Sequence, residues 1–105
     1  MANTLERESG TATIAGTTIY TVPTGTTVTI IGLRALNTDT SSEHAVTIEV
    51  GGFNVSGVET PLPVGSGYEF TEGAKIVGKA GDTVVAYADD NTSVEIVMSF
   101  LAQAE

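Results

Sequence analysis

Cysteine and tryptophan are absent from the 105-residue chain, and histidine occurs once, at His44. Without cysteine there are no disulfides, no thiolate metal sites and no thiol nucleophiles. Basic residues are scarce too: four Lys and Arg stand against 13 Asp and Glu, a formal charge of -9. A chain this acidic is repelled by phosphate backbones and by anionic membrane surfaces, so neither nucleic acid nor membrane is an expected partner. Only 16% of residues are charged, which leaves few groups for an active site. No apolar run approaches the roughly 18 residues that cross a bilayer, and the first ten residues lack the basic start and apolar stretch of a secretory signal. The product is expected to be soluble and to stay where it is made.

What is present is Thr, Val, Ile and Gly. The first three are β-branched and suit a pleated, half-buried surface. Val46, Ile48 and Val50 alternate with Thr47 and Glu49, and Val94, Ile96, Met98 and Phe100 alternate with Glu95, Val97 and Ser99. Turn residues recur at short intervals: Pro23-Thr24-Gly25, Asn37-Thr38-Asp39, Gly51-Gly52, Pro61 to Gly67, Ala80-Gly81-Asp82 and Asp89-Asp90-Asn91. Strands are therefore expected near 12–15, 18–22, 27–36, 45–50, 53–58, 68–71, 75–78, 83–88 and 93–101. The fold class expected is all-β, one β-sandwich or jelly-roll-like domain over 11–105, preceded by a short charged N-terminal arm over 1–10. Within 27–36 the alternation breaks at Ile30-Ile31, followed by Gly32, which predicts a bulge or a bend that switches the strand from one sheet face to the other.

Catalytic constellations are weak. His44 lies in Ser41-Ser42-Glu43-His44, a polar connection into a strand, and reads as a solvated surface residue; no Gly-x-Ser-x-Gly elbow supports a nucleophile. Acid pairs can be drawn freely from 13 carboxylates, and Glu49 and Glu95 read as outward strand positions. Asp89-Asp90-Asn91 with Glu95 offers the oxygen ligands calcium prefers but lacks the spacing of a dedicated loop, and hairpin chemistry accounts for the same residues. No catalytic residue, metal or cofactor is expected.

Arg34, inside an apolar strand, must be either exposed at a rim or paired with an acid. Val85, Tyr87, Val97 and Leu101 are apolar positions that one buried face does not explain, and Phe53 and Tyr68 are possible aromatic anchors. These six are either core or subunit interface; with Leu5 of the arm and Arg34 they form the interface candidates.

The run Tyr20-Thr21-Val22-Pro23-Thr24-Gly25-Thr26-Thr27, then Ile31-Gly32-Leu33-Arg34-Ala35-Leu36-Asn37-Thr38-Asp39, resembles small virion proteins of tailed bacteriophages with a β-sandwich fold. Pro61-Leu62-Pro63-Val64-Gly65-Ser66, Lys75-Ile76-Val77 and Ala80-Gly81-Asp82-Thr83-Val84 are similar to the same group, so the resemblance covers about Thr17 to Leu101. It implies a non-enzymatic structural protein, a capsid decoration (cement) subunit or a neck, tail or baseplate accessory. The expected partners are a phage major capsid protein and further copies of the chain, as a homotrimer. The place of work would be the capsid surface of the virion, after synthesis in the cytoplasm of a bacterial host. A carbohydrate-binding sandwich is the rival class, disfavoured by 6% aromatic residues and no tryptophan.

Overall fold

Alternating β-branched residues form strands here wherever one face finds cover. The computed structural model describes residues 3–57, 59–70 and 76–104. Among the described residues ten strands run β1 (Asn3–Thr11), β2 (Thr17–Thr21), β3 (Thr26–Asn37), β4 (His44–Val50), β5 (Phe53–Asn54), β6 (Thr60–Leu62), β7 (Gly67–Glu69), β8 (Ile76–Gly78), β9 (Thr83–Ala88) and β10 (Val94–Ala104). They make two antiparallel sheets packed as a β-sandwich. The first has the order β1-β10-β3-β7, with β8 also on β3; the second is β2-β9-β4-β5, with β6 also on β4.

The core lies between the sheets. On β10 the inward set is Val94, Ile96, Met98, Phe100 and Ala102; Val28, Ile30, Leu33 and Ala35 of β3 lie beside it, and the second sheet adds Ile19, Val46, Ile48, Val84 and Ala86. Tyr20 tilts against Phe100 with ring centroids 4.6 Å apart. Asn37 is the buried polar residue of this core. Its Nδ2 donates to the carbonyls of Ser42, Leu62 and Pro63 at 3.0, 3.0 and 3.3 Å, while its Oδ1 accepts the Asp39 N–H at 2.9 Å. One amide thereby closes the end of the sandwich where β3, β4 and β6 meet.

The bulge expected at Ile30-Ile31-Gly32 is there. Ser99 faces Gly32 and Phe100 faces Ile30, so Ile31 is the extra residue and points outward, while Ile30 and Leu33 both face the core. On the other side of β3, the Leu33 N–H donates to Glu69 Oε2 at 2.7 Å and the Leu33 carbonyl accepts the Phe70 N–H at 2.7 Å. The same irregularity divides the neighbouring edge: β7 pairs with residues 34–36 of β3 and β8 with residues 28–30.

Four expectations change. Residues 3–10, read as part of an arm, belong to β1, which pairs along β10 from Asn3↔Gln103 to Thr11↔Glu95. Its charges mislead because Glu6 and Glu8 sit at a sheet edge, opposite Phe100 and Met98, where charge deters further strand addition. Thr60–Leu62, read as turn because of Pro61, is a short strand on β4. Residues 12–15 contribute only the isolated bridge Thr13↔Tyr87, and the strand expected over 53–58 shrinks to Phe53–Asn54. Met1, Ala2, Val58, Thr71 and Lys75, which also carried expectations, lie outside the described residues.

Candidate functional site

The outward face of the first sheet exposes several large apolar side chains among its polar ones. Cross-strand register sets Leu5, Leu101, Thr29 and Val77 in one row over four strands. Ser9, Val97, Arg34 and Glu69 form a second row, and Arg7, Ser99 and Gly32 lie between. Leu5 is 74% exposed and Val77 55%; Ile31, pushed out by the bulge, and Val97 are also exposed. A shallow depression of about 340 Å³ lined by Leu5, Glu6, Arg7, Ile31 and Ser99 lies beside the first row. A solvated sheet face ordinarily alternates to polar residues, so this one is suited to cover by another surface.

Its charge differs from that of the whole chain. Both arginines, Arg7 and Arg34, lie on this face and balance Glu69 and Glu95, while the chain carries -9. Arg34 is exposed, and neither arginine forms an ion pair among the described residues.

Of the interface candidates, the fold brings Leu5, Arg34, Val97 and Leu101 together here. Val85 and Tyr87 are on the outer face of the second sheet, opposite Glu49 and Thr47. Phe53 is 78% exposed at the β4–β5 hairpin, and Tyr68 is at the β7 edge, stacked on Phe70 with centroids 5.9 Å apart. None of the eight is among the buried core residues. Sequence reading did not include Ile31, Leu36 and Val77, all exposed on the first sheet; two apolar neighbours at 30–31 with glycine next were the available signal for Ile31.

His44 departs most from expectation. Its side chain is 11% exposed, not solvated, because carboxylates from two loops close over it. Nε2–H donates to Asp39 Oδ2 at 2.8 Å and Nδ1–H donates to Asp89 Oδ1 at 2.7 Å, with Asp90 Oδ2 at 3.6 Å from Nε2. Donation from both nitrogens requires the imidazolium. The bonds to Asp39 and then Asp89 raise the His44 pKa against the opposing effect of burial. The Asp39 carboxyl falls to about 2, chiefly through His44 and then through Ser41. Asp90 is also lowered, first by the Ser93 hydroxyl.

The Asp89-Asp90-Asn91 segment is a turn. Asp90 Oδ1 accepts the N–H groups of Thr92 and Ser93, and Asn91 Oδ1 accepts that of Ile14. Glu95 faces outward on β10, so the four oxygen-bearing residues do not converge. Ligand atoms of His44, Asp89 and Asp90 do lie within 4.8 Å of one another, a spacing open to a cation, but both ring nitrogens are committed to carboxylates. The group is an ion-pair clasp between the loops at 38–43 and 89–93. Ser41 Oγ donates to Asp39, not to His44, so no serine-histidine relay is assembled among the described residues.

No protein-family model, no curated protein and no solved structure matches the chain.

Proposed function

We propose that this chain is a non-enzymatic virion structural protein of a tailed bacteriophage, a capsid decoration subunit that works as a homotrimer on the outer capsid surface. The observation that carries the assembly reading is the exposed apolar face of the first sheet, from Leu5 across Leu101 to Val77 with Ile31 and Val97. Copies of a -9 chain repel one another, and this face is where they approach at least cost, because its arginines and glutamates balance. Cyclic association buries such a face in every copy and closes without leaving an open edge.

Support for the virion reading comes from the sequence resemblance and from topology. Early and late strands interleave in both sheets, β1-β10-β3-β7 facing β2-β9-β4-β5, an order that favours a jelly roll, the architecture of many viral capsid domains. Acidity also suits the outside of a shell better than its DNA-filled interior. Mechanism is then mass action: a protein that binds only the assembled shell stabilises that shell against expansion.

The test is to strip the protein from phage particles, restore it, and compare survival on heating. Restored survival is expected. Equal survival with and without the protein contradicts a cementing role, and rescue confined to tail attachment moves the assignment to a neck or tail accessory.

A further inference from the structure

On the opposite side of the sandwich, the outer face of the second sheet holds a hollow of about 330 Å³. Tyr87 and Thr47 are cross-strand partners at its base, and the small side chain of Ala45, on the same outward face of β4 as Thr47, leaves room beside them. One wall is Ile14, held over the sheet by the Thr13↔Tyr87 bridge and by its N–H to Asn91 Oδ1 at 3.0 Å. The other is Glu59, a non-glycine residue at φ 51, whose N–H donates to Thr47 Oγ1 at 2.8 Å. Asp89 closes the end.

The lining is apolar or hydrogen-bond accepting and contains no basic residue. The Glu59 carboxylate and the Tyr87 hydroxyl have no partner among the described residues, and Asp89 offers the oxygen that His44 leaves free. Behind Asp89, the single charge of His44 is outnumbered by Asp39, Asp89 and Asp90, so the field at the hollow is negative. Apolar walls, an aromatic ring and two carboxylates complement an alkyl stem ending in a cation. The volume lies at the lower end for ligand pockets, room for one side chain or small amine.

We propose that this hollow binds an organic cation, a primary ammonium on an alkyl stem, with the stem against Ile14, Ala45 and Tyr87 and the charge between Glu59 and Asp89. The source is either a free amine or a lysine of a partner protein, and the inference stands apart from the virion reading. The test is an NMR titration of the labelled full chain with n-hexylammonium, with 1-hexanol as the neutral isostere, and with an acetylated Ala-Lys-Ala amide. Saturable shifts at Ile14, Thr47, Tyr87 and Ala88 are expected with hexylammonium, with 1-hexanol at least tenfold weaker. Glu59→Gln is expected to weaken hexylammonium about fivefold or more. Raising the salt weakens the wild-type complex, a second reading that needs no variant. Comparable binding of the peptide assigns the site to a partner's lysine; binding of hexylammonium alone assigns it to free amines. No saturable shift, equal binding of 1-hexanol, or indifference to both Glu59→Gln and salt overturns the proposal.

Discussion

Replacing Glu69 with alanine removes the acceptor of the Leu33 N–H, which points to the β7 side of β3 and lies between the stretches that β7 and β8 pair. Leu33 is fully buried and its N–H meets a carboxylate at 2.7 Å, so the variant strands a backbone donor beside the core. A hydrogen bond to a charged group contributes about 1.5–3 kcal/mol, and an unsatisfied buried donor costs a similar amount. For 105 residues the unfolding entropy near the midpoint is about 0.22 kcal/mol/K, so Glu69→Ala is expected to lower Tm by about 7–14 °C. Glu69→Gln retains an acceptor oxygen and should lose less than half as much. Scanning calorimetry of the three proteins reads this directly. A Glu69→Ala shift below about 2 °C, or equal shifts for the two variants, refutes the view that this carboxylate satisfies the Leu33 N–H between β7 and β8.

The His44 clasp gives stability a pH window. Because the folded His44 pKa is raised above 6.5, its contribution is complete below that pH and is lost as pH rises through the folded value. Asp39 acts in the other direction: with a folded value of about 2 against 3.8, its contribution is present above 3.8 and lost as pH falls toward 2. Thermal melts should therefore decline as pH rises above 6.5 through the raised His44 value, and His44→Gln should flatten that decline. Asn37→Ala leaves the Ser42, Leu62 and Pro63 carbonyls without their donor and should cost about 2–4 kcal/mol in urea unfolding. Gly16→Ala places a Cβ 2.5 Å from the Tyr87 ring at φ 97, and should cost about 1–3 kcal/mol and shift the Tyr87 ring resonances.

Strands were legible where chemistry is local. The alternations in β4 and β10 mark both element and buried face, and the Ile30-Ile31-Gly32 break marks the bulge. Strand β1 was not legible, because Glu6, Arg7 and Glu8 resemble a solvated arm until β10 is known to lie beside them. Pro61 conceals β6 for a related reason: proline is tolerated in an edge strand but reads as punctuation in sequence. The site was partly legible. Leu5, Arg34, Val97 and Leu101 were each identifiable as odd for their surroundings, but their convergence depends on register between strands far apart in sequence. His44 was misread because Asp89, 45 residues away, supplies half of its burial partners.

The outer face of the first sheet as the contact between copies is tested most directly by absolute mass, from size-exclusion chromatography with light scattering, on the wild type and on Ile31→Glu/Val97→Glu. Both substitutions are on exposed positions and should leave the fold and the thermal midpoint close to wild type. The wild type should run near three times 10.8 kDa and the double variant at 10.8 kDa. A wild-type monomer at every concentration, or a variant that keeps the wild-type mass, contradicts the assignment of that face.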